Sequence, residues 1–238
     1  PVTVVVSLKG WVRALKGHEL DPATLTFKSG DALYGCFACR SVDNLLVFGG
    51  NGRVYSVAAS QLPGGRGDGV PITTLIDLES GTQIAHYFAG AADTVLLLSN
   101  TGGFGLLARV GDMLGRNRGG KAFLTLADGQ KLLSPVPVLP TQTQVACLAA
   151  DGRLLVFALD ELKLQSRGGK GLTLMEVESS APLLSVATFS EALKVLGQGR
   201  AAKPKDELLK GAALEAHRGK RARKGRKVQG LVKALRLQ

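Results

Sequence analysis

The sequence predicts an all-β protein of five repeats, with a propeller-like or solenoid architecture rather than a mixed enzyme fold. Two patterns keep the same period of about fifty residues. In the first, an apolar strand ends in a turn glycine, which recurs at Gly10, Gly52, Gly102, Gly152 and Gly199. In the second, a leucine follows each glycine by nine to twelve residues, at Leu20, Leu62, Leu114, Leu162 and Leu208. Because two separate patterns stay in register, chance similarity is a poor explanation for the repeats.

The composition indicates one domain whose blades are packed mainly by leucine and valine. Apolar residues make up 45% of the 238 residues, which is enough for a core, whereas aromatic residues make up 5%. We expect a single domain over residues 1–238, with repeats at 1–42, 43–92, 93–142, 143–190 and 191–238. The chain does not begin with methionine, so we expect a piece of a longer protein. It shows no export signal, and no apolar run reaches the ~18 residues that a membrane span needs.

Within each repeat we expect four short strands, the first two joined by a tight glycine turn. The second repeat shows the pattern most clearly, with predicted strands at Leu45–Phe48, Arg53–Val57, Ile72–Leu78 and Gln83–Phe88. Asn51-Gly52 between the first two strands is a preferred sequence of type I′ hairpin turns, and Asp151-Gly152 repeats this chemistry. Strands of the third and fourth repeats are predicted at Phe123–Leu126, Lys131–Leu133, Leu172–Val177 and Leu183–Phe189.

Four further segments carry expectations of their own. Ser134–Pro140 is rich in proline, which cannot donate to a central ladder, so we expect a strand at the edge of a blade. Pro204–Lys210 and Ala212–His217 are the only segments that could form a helical turn or two. Leu231–Leu237 returns to an apolar pattern, which favours a strand that closes the last blade over a disordered basic tail.

The positive charge of the chain is concentrated at one end. The formal net charge is +11, and residues 199–238 contain 13 of the 30 Lys and Arg residues but 3 of the 19 acidic residues. The rest of the chain is almost balanced. A basic block of this kind favours an anionic partner, first nucleic acid and then an acidic protein or a membrane surface.

Basic, glycine-rich loops recur at one place in four of the repeats. They cover residues 65–69, 115–121, 166–171 and 218–227. Glycines let cationic side chains and backbone amides approach phosphates closely. If the repeats stack side by side, we expect the loops to form a curved row of cations around which a duplex can bend. The candidate DNA-binding residues are Lys9, Arg13, Lys16, Arg66, Arg116, Arg118, Lys121, Arg167, Lys170, Arg218, Lys220, Arg221, Arg223, Lys224, Arg226 and Lys227.

The sequence contains no convincing catalytic or metal-binding arrangement. Cys36 and Cys39 have the CxxC spacing, but they lie in a predicted strand, where residues three apart point to opposite faces and cannot share a metal. The run 115–121 resembles a nucleotide-binding loop, yet Ala122 stands where a Ser or Thr should bind magnesium, and no helix is predicted after it. We therefore predict that this chain alone is not an enzyme and holds no metal or cofactor, and its three free cysteines favour a reducing compartment.

Several of these segments resemble the C-terminal domains of the A subunits of bacterial DNA topoisomerase IV and gyrase, and topoisomerase IV in particular. The resemblance covers essentially the whole chain. It rests on Gly10-Trp11-Val12-Arg13, Asn51-Gly52-Arg53-Val54-Tyr55, Leu62-Pro63, Arg66-Gly67, Leu114-Gly115-Arg116-Asn117-Arg118-Gly119-Gly120-Lys121 and Gly225-Arg226-Lys227.

The resemblance implies a fold and a DNA-binding role. The fold is a β-pinwheel, in which five four-stranded antiparallel blades exchange strands with their neighbours, in an open or broken ring. In that family the basic rim binds duplex DNA near the segment to be cut and helps select crossovers for decatenation, supercoil relaxation and chromosome segregation. The catalytic tyrosine lies in the N-terminal breakage-reunion part of the same polypeptide, and ATP and Mg²⁺ are used elsewhere in an A2B2 heterotetramer with the B subunit of topoisomerase IV. A bacterial condensin is a further implied partner, the implied location is cytoplasmic and nucleoid-associated, and the isolated domain is expected to be monomeric.

One sequence feature distinguishes the gyrase branch of this family from the topoisomerase IV branch. Gyrase A domains carry a QRRGGKG box in their first blade, which they need to wrap DNA strongly, and the first repeat here has none. The nearest sequences lie in later repeats. They are Gln165-Ser166-Arg167-Gly168-Gly169-Lys170-Gly171, with Ser166 in place of Arg, and Arg116–Ala122, in which Asn117 and Ala122 depart from the pattern. We therefore expect binding and modest bending rather than full wrapping. A divergent gyrase A wrapping domain and a propeller that binds acidic proteins are the alternatives, although the loops contain no aromatic residue of the kind that protein interfaces favour.

Overall fold

The computed structural model describes all residues, 1–238, and is almost entirely β-structure. One helical turn, α1 (Ala212–Glu215), and several short 3-10 turns interrupt the strands. The strands are β1 (Val2–Ser7), β2 (Trp11–Lys16), β3 (Leu33–Cys39), β4 (Asn44–Gly49), β5 (Arg53–Ala58), β6 (Val70–Pro71), β7 (Ile84–Gly90), β8 (Val95–Ser99), β9 (Phe104–Arg109), β10 (Lys121–Ala122), β11 (Val136–Val138), β12 (Gln144–Ala149), β13 (Arg153–Ala158), β14 (Leu172–Thr173), β15 (Leu183–Phe189), β16 (Ala192–Gln198), β17 (Pro204–Lys210), β18 (Arg226–Lys227) and β19 (Lys233–Leu237). No helix is long or apolar enough to cross a membrane.

The strands form five antiparallel sheets, which confirms the predicted all-β architecture of five blades that exchange strands. The orders are β3-β1-β2-β6, β10-β5-β4-β7, β11-β8-β9-β14, β15-β12-β13-β18 and β17-β16-β19. In each of the first four blades one outer strand is donated by the following repeat. The prediction of four strands per blade is wrong for the fifth blade, because no segment of residues 1–238 is donated to the outer edge of β17.

The chain divides into two compact units. Unit 1 comprises residues 1–94 and 109–125 and contains the first two blades; unit 2 comprises residues 95–108 and 126–238 and contains the other three. In unit 1, one core joins β1, β4 and β5 through side chains such as Val4, Leu45 and Tyr55. The repeat boundaries and the single-domain assignment stay predictions.

Strand β12 shows how a central blade of unit 2 is packed on both faces. Val145 and Cys147 belong to one core, whereas Ala146 and Leu148 belong to the other, and all four are fully buried. This alternation follows from the two-residue period of a strand. It explains why the strands of the hairpins read as continuous apolar runs.

The hairpins form where they were predicted, but their turns differ in type. Of the two residues Asn51 and Gly52, only Gly52 has a left-handed backbone, with a φ of +86°, and its N–H donates to the Gly49 carbonyl at 3.0 Å. A type I′ turn needs a positive φ at Asn51 as well, so that prediction is wrong, and the arrangement matches a type I turn closed by a left-handed glycine. In the third repeat the left-handed residue before the second strand is Gly103 rather than Gly102.

The predicted third strands, and the predicted fourth strand of the third repeat, are mostly wrong. Residues 72–78 contain a 3-10 turn at Ile72–Thr74, after the two-residue strand β6. Residues 123–126 and 131–133 contain no strand, and only the first two residues of 172–177 form one. The donated strands are short because each pairs with only two residues of its neighbour before the chain turns back to its own blade. The apolar residues beyond, such as Ile76 and Leu174, are buried without joining a ladder.

In the fifth repeat, the prediction of one helical turn and the predicted position of the recurring leucine are wrong. Pro204–Lys210 is the strand β17, paired with β16 along its whole length, and not a helical turn. Leu208 lies on its outer face and is 55% exposed, whereas the buried Leu214 of α1 follows the second strand of the hairpin. The helical turn in 212–217, the edge strand in Ser134–Pro140 and the closing strand in Leu231–Leu237 are confirmed.

Candidate nucleic-acid interface

Four basic loops occupy the same position in the topology. We name them loop 1 (65–69), loop 2 (115–120), loop 3 (166–171) and loop 4 (218–225). Each ends directly before a donated strand, respectively β6, β10, β14 and β18. Loops 1 and 2 belong to unit 1, and loops 3 and 4 belong to unit 2. The donated strand always pairs with the first two residues of the second hairpin strand, as Val70 and Pro71 pair with Val12 and Trp11.

The last residue of each loop is a glycine that no other residue replaces without strain. The four are Gly69, Gly120, Gly171 and Gly225, with φ angles of +88°, +66°, +80° and +74°. A Cβ on any of them would lie only 2.1 to 2.5 Å from a carbonyl oxygen of the neighbouring hairpin strand. Left-handed backbone is also unfavourable for residues with a side chain. These glycines therefore fix where each loop meets its blade. The sequence offered this signal, since the four glycines recur with the period of the repeats.

Two arginines that are not among the candidate DNA-binding residues hold loops 2 and 4 by hydrogen bonds from the neighbouring hairpin strands. Arg53 donates from Nε and Nη2 to the Gly119 carbonyl, at 3.0 and 2.9 Å, and from Nη2 to the Gly120 carbonyl at 2.9 Å. Arg153 donates from Nη1 to the Lys224 carbonyl at 2.7 Å. The carboxylate of Asp151 accepts from Nε of Arg153 at 2.8 Å and holds this guanidinium in place. Because arginine follows a turn glycine in both cases, the sequence carried a signal for them.

Loops 1 and 3 have different supports. In loop 1, Arg13 donates to the Gly67 carbonyl and, at 3.1 Å, to the Thr26 carbonyl. Arg13 is only 8% exposed, so its guanidinium is committed to the fold. In loop 3, the ammonium of Lys170 lies 4.3 Å from the ring centroid of Phe104, the first residue of β9. Every loop is therefore tied to the hairpin strand beside it.

The candidate DNA-binding residues fall into two groups. Those that are exposed and form no ion pair are Lys9, Lys16, Arg66, Arg116, Arg167, Lys170, Lys220, Arg223, Lys224, Arg226 and Lys227. Within this group Lys170 also lies over the Phe104 ring. The other candidates are paired or less exposed. Arg118 contacts Asp77 at 3.3 Å and Arg218 contacts Glu215 at 2.9 Å, while Nη1 of Arg221 donates to the Thr173 carbonyl at 2.7 Å. Arg13 is buried as described, and the half-buried Lys121 lies 6.0 Å from the ring centroid of Phe123. DNA contact at all sixteen stays a prediction.

Loop 4, the most basic of the four, is an ordered part of the fourth blade. The Val156 N–H donates to the His217 carbonyl and the Gly219 N–H donates to the Val156 carbonyl, both at 2.9 Å. The Arg221 N–H donates to Glu161 at 3.1 Å. Burial, with a smaller effect from the guanidinium of Arg226, lowers the pKa of His217, so this side chain is neutral at neutral pH. The cations of loop 4 thus project from a fixed base, and the preference for an ordered segment over a disordered tail is confirmed.

The cysteine and tyrosine side chains that could carry chemistry pack in the interior of the two units. Cys39 packs into the core of unit 1, Cys147 is fully buried in unit 2, and burial raises the pKa of both thiols. Burial also raises the pKa of Tyr87 to about 12, and the Tyr34 hydroxyl lies 2.9 Å from His86 Nδ1. No group of three or more His, Cys, Asp or Glu side chains is arranged to hold a metal ion.

Comparison with known proteins identifies the family. The family model described as "DNA gyrase C-terminal domain, beta-propeller" matches residues 43–81 and 144–190, which lie in the second and fourth repeats. The A subunit of DNA topoisomerase 4 from Neisseria gonorrhoeae is 34% identical over 94% of the chain, and that from Pseudomonas aeruginosa is 33% identical over 96%. A solved structure of the E. coli ParC C-terminal domain matches with a TM-score of 0.86 and 28% identity, over 100% of this chain and 97% of that one. The chain belongs to the family of C-terminal domains of the A subunits of gyrase and topoisomerase IV.

The resemblance drawn from the sequence is therefore confirmed. A solved DNA gyrase A C-terminal domain has a TM-score of 0.66 and 18% identity over 98% of this chain and 80% of that one, which shows a shared fold alone. The chain spans about 30% of the length of the Neisseria and Pseudomonas relatives.

Proposed function

We propose that this domain binds and bends duplex DNA without sequence preference, through contacts between its basic loops and the phosphate backbone. The observation that carries this proposal is the repeated placement of the loops. Four glycine-rich cationic loops precede the same donated strand, with the same left-handed glycine at the junction. Loops that served only as connections would not need cations at each equivalent position.

The chemistry of the loops favours phosphate contacts over base contacts. Arg66, Arg116 and Arg167 are exposed and form no ion pair, and each has a glycine on at least one side, which keeps bulky side chains away. Arginine and lysine at such positions bind phosphate oxygens, which are the same for every sequence. The loops contain no aromatic side chain for stacking on bases.

The family membership supports a role within a type IIA topoisomerase. We propose that the domain helps topoisomerase IV select DNA crossovers for decatenation and supercoil relaxation, and thus for chromosome segregation. Its partners would be the breakage-reunion part of the same polypeptide, the B subunit of topoisomerase IV in an A2B2 heterotetramer and a bacterial condensin, with ATP and Mg²⁺ used outside this chain. Loop 1 contains one arginine balanced by Asp68 and lacks a gyrase-type box, which favours modest bending over full wrapping.

A salt titration of the isolated domain tests the proposal. We expect binding to a duplex of about 40 base pairs, followed by fluorescence anisotropy, to weaken steeply with salt. If five or six phosphates are neutralised, log K should fall with log salt at a slope of roughly −5. Two duplexes of unrelated sequence should give the same affinity within about twofold, because the backbone carries no sequence information.

The same titration can also contradict the proposal. Absence of binding at low salt would overturn the proposal and would favour an acidic protein as the partner of the basic surface. A shallow slope combined with a strong sequence preference would overturn the backbone-contact model while leaving DNA as the ligand.

A further inference from the structure

We propose that Arg53 and Arg153 are positioning residues, which hold loops 2 and 4 in the shape in which their exposed cations meet DNA. The inference rests on the proposed DNA-binding function and deepens it. In this account the two arginines touch no phosphate. They act through the loop backbone, and their loss weakens binding without removing a phosphate contact.

The two arginines occupy equivalent positions in two different blades. Each is the first residue of the second hairpin strand and follows a left-handed turn glycine, Gly52 or Gly152. Each also donates to the carbonyl oxygen of the residue that directly precedes the left-handed glycine of the loop. That residue is Gly119 in loop 2 and Lys224 in loop 4.

The third blade uses the same position with a different side chain. Phe104 is the first residue of β9, and the Lys170 ammonium lies over its ring. Lys170 directly precedes Gly171, so it corresponds to Gly119 and Lys224 in the other loops. In these three blades the first residue of the second hairpin strand thus contacts the residue before the left-handed glycine, whereas loop 1 is held at Gly67 by Arg13, the third residue of β2.

The hydrogen bonds explain why arginine rather than lysine is needed to support loops 2 and 4. The guanidinium of Arg53 makes three bonds to two neighbouring carbonyl oxygens, and that of Arg153 bridges the Lys224 carbonyl, the Glu176 carbonyl at 3.2 Å and Asp151. A planar fork with five donors can satisfy several acceptors at once, whereas a lysine ammonium is a single point charge. The side chain of Arg153 is only 17% exposed, which leaves little of it for a ligand.

This support reduces the cost of binding. A loop that is ordered before it meets DNA does not lose backbone and side-chain freedom at that moment. The acceptor oxygens of the loop are also engaged by the arginines, on the side of the hairpin strand. The exposed Arg116 of loop 2 and Lys220 and Arg223 of loop 4 then start from fixed positions.

The substitutions Arg53→Lys and Arg153→Lys test the inference, because each keeps the positive charge and removes the fork. Arg40→Lys is the matched control, since Arg40 is exposed and pairs with Asp43 away from the loops. We expect the affinity for the 40-base-pair duplex at fixed salt to fall about threefold to tenfold in each test variant, from the ordering cost of a few side chains. The slope of log K against log salt should not change, and the control should bind as the unchanged protein does.

The rate of tryptic cleavage in the absence of DNA provides a second measurement, that of loop order. Trypsin cleaves after Arg116 and Arg118 in loop 2, and after Lys220 and Arg223 in loop 4. We expect faster cleavage in loop 2 of Arg53→Lys and in loop 4 of Arg153→Lys, with a single cooperative unfolding transition above the assay temperature showing that the domain is folded.

Two outcomes would overturn the inference alone. A salt slope flatter by about one unit in Arg53→Gln or Arg153→Gln, which remove the charge, would show that the arginine neutralises a phosphate itself. Unchanged affinity in a variant whose loop is cleaved faster would show that loop order does not matter for binding. Absence of binding by the unchanged protein would instead overturn the proposed function, and this inference with it, so the two failures are distinguishable.

Discussion

Replacing Gly171 by Ala is expected to destabilise the domain by about 3–5 kcal/mol, among the largest effects of any single substitution in this chain. The backbone of Gly171 is left-handed, with a φ of +80°, and a Cβ would lie 2.3 Å from the Gly105 carbonyl oxygen. No flexible side chain can move aside, because the obstacle is the backbone of β9. The donated strand β14 would have to leave its neighbour. Urea denaturation followed by circular dichroism measures the change in the free energy of unfolding.

Gly129 provides the control for this prediction. It has the same φ of +80°, but no atom lies within 4 Å of the place where its Cβ would be. Gly129→Ala therefore carries the conformational cost alone, about 1–2 kcal/mol. Equal destabilisation by the two substitutions would contradict the close approach between the glycine and the neighbouring strand.

Neutralising loop 4 is expected to have the largest effect on DNA binding. The combined variant Lys220→Gln, Arg223→Gln and Lys224→Gln removes three exposed cations that form no ion pair. If each contacts a phosphate, the salt slope becomes flatter by about three units, and the affinity at 0.1 M salt falls about a hundredfold or more. The loop should stay in place, since Arg153 binds the carbonyl of residue 224 and not its side chain.

The matched control removes the same charge elsewhere in unit 2. Lys163, Arg200 and Lys203 are exposed, form no ion pair and lie outside the four loops. Their combined replacement by Gln should leave the slope within about one unit of the unchanged protein, because screened charges away from the contact contribute little. Similar losses in both variants would show that net charge, rather than loop position, drives binding.

Features defined within a few neighbouring residues could be predicted from the sequence. The hairpin strands follow from apolar runs on both sides of a glycine turn, and the edge strand β11 follows from its prolines. The donated strands could not be predicted, because two residues such as Val70 and Pro71 form no periodic pattern. Their pairing depends on contacts with another repeat. The helical turn predicted for Pro204–Lys210 is wrong for a related reason, since only the pairing with β16 makes this charged segment a strand.

The site could be predicted as a set of loops but not as a set of free cations. An arginine reads the same in a sequence whether it supports a loop or is available to a ligand. The loop pattern predicts DNA contacts at Arg13 and Arg221, yet both donate to backbone carbonyls, and it does not point to Arg53 or Arg153. Burial and hydrogen-bond partners distinguish these two roles, and both depend on contacts between segments that are distant in the sequence.

The measurement that tests the central claim most directly is a lysine-modification footprint of the domain with and without the 40-base-pair duplex, read by mass spectrometry. Phosphate contact shields an ammonium from acetylation, so we predict protection of the loop residues Lys170, Lys220 and Lys224, and of Lys227 in the strand β18 that follows loop 4, at low salt and its loss at high salt. The exposed Lys131 and Lys163 outside the loops should be modified equally in both samples. Protection at these two lysines without protection in the loops, under conditions where the duplex is bound, would contradict the assignment of the basic loops as the DNA-binding surface.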